Sequence, residues 1–341
     1  MKRKQFISST VLTLGSLALL GKSSYGFNKN GERRSKIPAY LKTGDTIGIT
    51  SPAGYISAED CKDAVTTLQS WGYKIKIGSS IGKKYFTLGG TDEERLADLQ
   101  NMLDDDSLSA VMCARGGYGL IHIIDKLNFK KFSRKPKWII GFSDVTILHS
   151  HINRNFSIAT IHSKMCNSFP IATNAEPIQT ETIDSIRKCL GGEKMSYTFA
   201  TNSNNKTGKV SAELIGGNLK TLESLSGTAS DIITANKILF TEDTGEYLYS
   251  IDRMFWNLKR TGKLSQLAGL IIGGFKIKPD DAGEEFGKTL QEIVLEKVSE
   301  YNYPVCFDFP VGHQKNNFAV KCGVMHQLDV TTNSVTLNSL A

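Results

Sequence analysis

Short apolar runs alternate with longer segments of helical periodicity along the first half of the chain. The runs are rich in β-branched residues and predict strands, whereas the segments between them open at capping residues and close at glycine. Such alternation is typical of a parallel sheet covered by helices. The predicted strands are Thr46–Thr50, Tyr73–Ile77, Ala110–Ala114, Trp138–Ile140 and Ile158–Ile161.

Capping signals place two helices in this half. Ser57 begins a helix that runs to Trp71 and stops at Gly72. Thr91 with Glu94 three residues later forms a capping box that opens the next helix. We therefore predict a Rossmann- or flavodoxin-like parallel-sheet domain over residues 37–170.

The second half begins after a polar stretch. Residues 171–207 are interpreted as an inter-domain connection, and residues 208–338 as an α+β domain. Ile251, Phe255 and Leu258 recur at the spacing of a buried helical stripe. The other predicted elements are strands at Ile238–Phe240, Leu267–Ile272, Pro304–Phe309 and Ser334–Leu337 and a helix at Phe286–Tyr301.

The formal net charge of +7 is concentrated at the N-terminus. Residues 1–36 hold eight of the 41 basic residues and one of the 34 acidic residues, so residues 37–341 carry as many acids as bases. A nucleic-acid-binding protein needs a basic patch on its folded domain. The charge distribution therefore argues against nucleic acid as a partner.

Residues 1–26 have the layout of a signal peptide. Three charged residues precede an apolar stretch, Val11–Leu20, and small residues follow up to Gly26. Arg3-Lys4 also resembles a twin-arginine signal with lysine in the second place. Because a bilayer span needs about 20 apolar residues, we predict cleavage and a periplasmic location, with a retained membrane anchor as the alternative.

The six cysteines form no close pair and no metal-binding spacing. Export would permit disulfides. However, Cys113 and Cys306 lie in apolar runs, where a free thiol packs as a small hydrophobic group. We predict no disulfide, no metal site and no cofactor.

A serine follows the fourth strand at a glycine turn. Gly141-Phe142-Ser143 matches part of a nucleophile elbow, although Val145 stands where a full elbow has a second glycine. A helix begins directly afterwards, so Ser143 could equally be its N-cap. The glycine-rich run Arg115–Gly119 follows the third strand, and α/β proteins bind ligands at the carboxyl edge that both loops share.

A serine nucleophile needs a general base, and six histidines are available. His149 and His151 are two residues apart on a helix and face different ways, and His122 lies in an apolar helix, so we interpret these three as structural. His162 lies just beyond a strand and His313 lies in a loop. Spacing alone does not decide between these two.

Five motifs occur in the order found in LD-carboxypeptidases, a family that the chain resembles from about Ile37 onward. Microcin-immunity peptidases share the same pattern. The motifs are Arg115–Gly119, Gly141–Thr146, Gly216–Leu219, Glu242-Asp243 with Tyr249–Met254, and Gly312-His313.

This resemblance implies a serine triad. Ser143 would be the nucleophile, His313 the general base, and Glu242 the carboxylate that orients the imidazole. Asp243 and Glu246 are nearby alternatives for the third position.

Further residues are expected to surround the triad. The backbone amides of Gly117 and Asp144 are candidates for an oxyanion hole, and Arg115 and Asn218 for substrate binding, although Asn218 could equally cap a turn. The glycine-rich run could instead cradle a phosphate, but it lacks the nucleotide-binding patterns. Ser163-Lys164-Met165 stands where the family usually has Gly-Pro-Met, so the pocket wall is expected to differ there.

The resemblance implies a serine carboxypeptidase that hydrolyses the amide between an L-centre and the terminal D-alanine of a murein tetrapeptide. The reaction would pass through an acyl-enzyme at an inter-domain site, with a small peptidoglycan-derived peptide as the partner. The resemblance also implies a homodimer. The alternatives are a peptidase that cleaves peptidyl or aminoacyl nucleotides and a non-catalytic protein that binds murein peptides.

Overall fold

The computed structural model describes residues 35–170 and 175–341, and two β-sheets organise this part of the chain. The signal peptide predicted for residues 1–26 lies outside the described residues. The strands are β1 (Thr46–Thr50), β2 (Lys74–Ile77), β3 (Leu108–Cys113), β4 (Trp138–Gly141), β5 (Thr160–His162), β6 (Ser196–Ala200), β7 (Gly208–Asn218), β8 (Lys237–Thr244), β9 (Gly269–Lys276), β10 (Val305–Cys306), β11 (Val320–Cys322), β12 (Val324–Val330) and β13 (Ser334–Ser339). The α-helices are α1 (Lys62–Ser70), α2 (Asp92–Asp104), α3 (Lys130–Arg134), α4 (Thr146–Phe156), α5 (Pro177–Gly191), α6 (Leu219–Ser224), α7 (Leu248–Arg260) and α8 (Leu290–Val298).

The first sheet has the strand order β11-β5-β4-β3-β1-β2. Strands β1 to β5 pair in parallel, in the 2-1-3-4-5 order of flavodoxin-like folds. The predicted parallel-sheet architecture is therefore confirmed. Strand β11 comes from the C-terminal part of the chain and pairs antiparallel with β5, which the sequence did not indicate.

The second sheet has the order β10-β9-β8-β7-β12-β13-β6 and is mixed. Strands β7 to β10 pair in parallel, whereas β7, β12, β13 and β6 pair antiparallel. The carboxyl ends of β7 and β8 therefore point the same way and carry Asn218 and Glu242 side by side.

The predicted helix starts of the first half are present. The Thr91 hydroxyl accepts the Glu94 N–H at 3.3 Å, and the Glu94 carboxylate accepts the Thr91 N–H at 2.9 Å. The helix at Ser57 opens with a short helical turn before α1, and the chain leaves it at Gly72 with a φ of 87°. A left-handed residue at a helix end favours glycine.

The long helix predicted at Phe286–Tyr301 is wrong in its bounds, because α8 is shorter at both ends. Thr289 caps α8, and its hydroxyl accepts the Glu292 N–H at 3.2 Å. This capping box determines the first turn more strongly than the apolar periodicity that suggested an earlier start.

Two further predictions differ from the structure in their extent. The strand predicted at Pro304–Phe309 is reduced to β10, because the left-handed backbone of Asp308, with a φ of 62°, bends the chain away from the sheet. The predicted connection over residues 171–207 contains α5 and β6. The domain boundaries themselves stay a prediction, and residues 35–341 form one compact unit.

An apolar core joins the two sheets. One buried cluster contains Ile140 and Ile161 of the first sheet together with Leu214 and Phe240 of the second. All six cysteines are free and buried. Within the described ranges, no helix combines the length and the apolar character that crossing a bilayer requires.

Candidate active site

Ser143 lies on a sharp turn between β4 and α4. Phe142 is extended, with a φ of −151°, and Ser143 adopts a left-handed φ of 63°. Residues other than glycine rarely take this conformation, and such backbone strain is typical of nucleophile turns. The strand-turn-helix context expected around Gly141-Phe142-Ser143 is therefore present.

The Ser143 hydroxyl does not cap the helix that follows. The start of the short helical turn at Ser143–Val145 and the start of α4 both lack a side-chain cap, and the hydroxyl bonds to no residue that the structure describes. Ser143 is half-buried and lines a cavity of about 680 Å³. Its hydroxyl is therefore available to a ligand in the cavity.

His313 lines the same cavity and is held by Glu242. Its Nδ1 lies 2.5 Å from Glu242 Oε2, and the Glu242 side chain at the end of β8 is fully buried. A carboxylate only accepts, so Nδ1 carries the proton and Nε2 is left as the basic nitrogen. The His313 ring centroid lies 4.9 Å from that of Phe142, the residue before Ser143.

Glycine at position 312 permits this contact. Gly312 has a φ of 104°, and a Cβ atom there would lie 2.4 Å from Glu242 Cβ. Its N–H donates to Asn317 Oδ1 at 2.8 Å, which anchors the loop that carries His313. Any larger residue would push the loop away from the carboxylate.

The two alternative carboxylates are occupied elsewhere. Asp243 accepts hydrogen bonds from Asn218 Nδ2 and the Lys220 N–H, both at 2.9 Å, and burial raises its pKa to about 6. Glu246 accepts the Ser250 hydroxyl at 2.6 Å. Of the three predicted candidates, the structure brings Glu242 to the imidazole.

His162 does not share the cavity with Ser143. It is fully buried, and its ring packs against Phe142 and Phe240, with centroids 5.7 and 5.0 Å away. Neither ring nitrogen has a hydrogen-bond partner among the described residues, and burial holds its pKa well below the ordinary value. Geometry therefore favours His313 over His162 as the base.

The glycine-rich loop packs directly against the serine turn. A Cβ on Gly116 would lie 2.9 Å from Ser143 Cβ, so only glycine allows this approach. The Asp144 carboxylate accepts the Leu120 N–H at 2.9 Å and ties the two loops together, and burial raises its pKa to about 6. Gly117, with a φ of 94°, also lines the cavity, and its N–H bonds to no described residue.

This arrangement can hold an oxyanion. The Asp144 N–H lies in the first turn of a helix, where amides have no intrahelical acceptor. Together with the Gly117 N–H it could donate to negative charge that develops on a bound carbonyl oxygen.

The predicted substrate-binding residues have different surroundings. Arg115 is exposed, lines the cavity and donates from Nη1 to the Tyr55 carbonyl at 2.9 Å. Asn218 is buried, and its Oδ1 accepts the Thr221 N–H at 3.0 Å as the N-cap of α6. The geometry thus gives Asn218 the capping role that the sequence had left open.

Three lysines that the sequence did not identify as ligands also line the cavity. They are Lys164, Lys276 and Lys315, and they come from three distant segments. Their own sequence neighbours contain no signal for this convergence. In the described ranges, no group of three or more His, Cys, Asp or Glu residues is arranged to hold a metal ion.

Both halves of the chain match known protein families. Residues 47–163 match the LD-carboxypeptidase N-terminal domain, and residues 211–328 match the LD-carboxypeptidase C-terminal domain. A probable murein peptide carboxypeptidase of Bacillus subtilis (strain 168) is 33% identical over 288 residues, which cover 84% of this chain and 89% of that protein.

Solved structures share the fold. A muramoyltetrapeptide carboxypeptidase from Oxalobacter formigenes has a TM-score of 0.77 at 24% identity and covers 86% of this chain and 98% of its own. An MccF-like protein from Bacillus anthracis strain Ames has a TM-score of 0.78 at 21% identity, and the match covers 90% of this chain and 100% of that protein. MccF itself is the microcin C7 self-immunity protein of Escherichia coli.

These matches define the class of the protein as a peptidase, and residues from both matched regions line the cavity that contains Ser143. The chain belongs to the LD-carboxypeptidase family. The family resemblance and the fold class predicted from the sequence are thereby confirmed.

Proposed function

We propose that this peptidase is a serine-type LD-carboxypeptidase that removes the terminal D-alanine from murein tetrapeptides. The observation that carries the proposal is the hydrogen bond from His313, which lines the same cavity as Ser143, to the buried Glu242. The murein substrate is supported by the name of the Bacillus subtilis relative, a probable murein peptide carboxypeptidase.

The reaction would begin with proton transfer from Ser143 to His313. Oγ attacks the carbonyl carbon of the L-centre while Nε2 takes the hydroxyl proton, and Glu242 stabilises the resulting imidazolium. The carbonyl oxygen becomes an oxyanion that the Gly117 and Asp144 N–H groups can bind.

Collapse of this intermediate breaks the amide bond. The imidazolium gives its proton to the leaving nitrogen, D-alanine departs, and the L-centre stays esterified to Ser143. A water molecule then attacks the ester while His313 again accepts a proton. Return of that proton to Oγ releases the shortened peptide and restores the enzyme.

The first prediction concerns the nucleophile. Ser143→Ala should lower the rate of tripeptide formation by ~10⁶-fold, because the hydroxyl supplies the covalent step. The measurement is mass spectrometry of a tetrapeptide incubated with the purified protein. The fold should survive, since the hydroxyl bonds to no residue in the described part of the chain.

Ser150→Ala is a matched control on the helix that follows the nucleophile. Its hydroxyl donates to the Ser230 carbonyl at 2.6 Å, away from the cavity, so the variant should lose stability but retain turnover. Wild-type rates in Ser143→Ala would contradict the serine mechanism. Peptide binding without hydrolysis by the wild-type protein would instead support a non-catalytic binding protein.

A second candidate function is hydrolysis of aminoacyl or peptidyl nucleotides, as in the microcin-immunity class. The basic lining of the cavity favours it, because a phosphate would also bind there. Incubation of the same protein with a tetrapeptide and with an aminoacyl sulfamoyl adenosine separates the two, since the true substrate should be consumed and the other should persist.

A further inference from the structure

The cavity beside Ser143 has a basic lining without a carboxylate. Among the described residues that line it, Arg115, Lys164, Lys276 and Lys315 are basic and none is acidic. Lys315 forms an exposed ion pair with Glu176 at 2.5 Å. The other three make no ion pair within the described part of the chain, so the cavity attracts anions.

Lys164 differs from the other three in burial and in position. It is half-buried, whereas the others are exposed. Its Nζ donates to the carbonyl of Gln314 at 2.6 Å, the residue after His313. The same Nζ lies 5.9 Å from the ring centroid of Phe142, the residue before Ser143.

The Lys164 ammonium therefore contacts the residue after His313 and lies near the residue before Ser143. It has three N–H donors, and the Gln314 carbonyl takes one of them. Burial lowers the pKa of Lys164, and the nearby Glu242 carboxylate opposes this effect. A partly desolvated ammonium without an ion partner gains from an incoming anion, which replaces the lost hydration.

We propose that Lys164 binds the free carboxylate of the substrate's terminal residue and thereby determines that the enzyme acts as a carboxypeptidase. This inference rests on the proposed function. The terminal carboxylate is only a few covalent bonds from the scissile carbonyl, so its partner must lie beside the nucleophile and the base. Lys164 is the half-buried cation of the cavity that meets this condition.

A different role would be purely electrostatic. Lys164 could offset the charge of the buried Glu242 without touching the substrate. The two roles differ in one respect: charge balancing would affect every substrate equally, whereas carboxylate binding acts only on substrates with a free carboxylate.

The experiment compares two tetrapeptides that yield the same tripeptide. One is L-Ala-γ-D-Glu-L-Lys-D-Ala, and the other ends in D-alaninamide. The wild-type protein should prefer the free acid by about 100-fold in kcat/KM, because the amide leaves the half-buried Lys164 ammonium without a counter-charge. Lys164→Met should lose about 100-fold on the acid and little on the amide, so that the preference disappears.

Two further variants keep the test decisive. Lys164→Arg retains the charge and should keep most of the preference, while Lys276→Met removes an exposed cation of the same cavity and should change the acid-to-amide ratio by only a few fold. Thermal unfolding of each variant shows whether it is folded. If Lys164→Met does not fold, Lys164→Gln replaces it and should show the same loss of preference.

The outcomes separate this inference from the proposed function. A wild-type protein that releases no tripeptide from either peptide overturns both. Tripeptide release with an unchanged acid preference in Lys164→Met, or with equal losses on both substrates, overturns the role of Lys164 alone. Equal cleavage of the two peptides by the wild-type protein also overturns the role of Lys164 alone.

Discussion

At the residue scale, the contact between His313 and Glu242 orients the imidazole of the proposed base. Glu242 is fully buried, and its second carboxylate oxygen has no hydrogen-bond partner in the described ranges. A buried carboxylate with one partner depends strongly on that partner. The contact therefore determines both the tautomer and the direction of the His313 ring.

Glu242→Gln should lower kcat by ~10⁴-fold with little change in KM, because an amide can present an N–H to Nδ1 and stabilise the wrong tautomer. Steady-state kinetics on a tetrapeptide measures the effect. Asp243→Asn is the neighbouring control: its contacts to Asn218 and Lys220 cap α6, so it should lose stability more than kcat. Equal kcat losses in both variants would show that Glu242 has no special role.

At the element scale, the end of β7 packs against the start of α4, the helix that follows the nucleophile. A Cβ on Gly217 would lie 2.4 Å from Thr146 Oγ1, and that hydroxyl also accepts the Asn218 N–H at 3.0 Å. Gly217 has a φ of 143°, so both its backbone and its surroundings exclude a side chain. This contact brings the strand that precedes α6 against the nucleophile turn.

Gly217→Ala should therefore shift α4 and reduce both the unfolding temperature and kcat. The cost should be about 1–3 kcal/mol for overpacking, in addition to about 1–2 kcal/mol for the left-handed backbone. Gly227→Ala is the matched control, because Gly227 has a φ of 79° with no atom within 4 Å of the added Cβ, and it should show the backbone cost alone. Differential scanning calorimetry measures the unfolding temperatures of the two variants. Equal decreases would argue against a tight contact between β7 and α4.

At the scale of the whole molecule, buried histidines make stability depend on pH. His326 on β12 is buried, its Nδ1 donates to the Val324 carbonyl at 2.9 Å, and burial lowers its pKa to about 4. The unfolded chain binds a proton near pH 6.5, so between pH 6.5 and pH 4 it holds more protons than the folded chain. The His326 contribution to stability is thus present above pH 6.5 and is lost as the pH falls towards 4.

His326→Gln should flatten this dependence, because glutamine can donate a hydrogen bond but does not titrate. Between pH 7 and pH 5 the unfolding free energy of the wild-type protein should fall by about 2 kcal/mol more than that of the variant. The raised pKa values of Asp144 and Asp243 act in the opposite direction below about pH 6, but they are common to both proteins and cancel. Urea unfolding at several pH values measures the difference, and parallel curves would contradict the prediction.

Some helices could be predicted from the sequence because the interactions that define them join residues close together in the chain. The capping box at Thr91 and Glu94, the glycine exit at Gly72 and the buried stripe of α7 involve residues within one or two helical turns of one another. The parallel pairing of β1 to β5 likewise follows from the alternation of strands and helices, whereas their order in the sheet does not. The bounds of α8 and β10 were missed where a cap or a bend competed with the apolar pattern.

The sequence by itself predicted the five parallel strands of the first sheet and, through the order of five motifs, the family. Spacing alone left open which histidine and which carboxylate would act with Ser143, and the family resemblance implied His313 and Glu242. These two residues lie about 170 and 100 positions beyond Ser143, so their distances from it depend on how the two sheets pack. Only the tertiary structure placed His313 against Glu242, buried His162 away from the cavity and brought Lys164 beside Gln314. The physical reason is that burial and long-range contact depend on the packing of the whole chain, whereas capping and periodicity depend on neighbours in sequence.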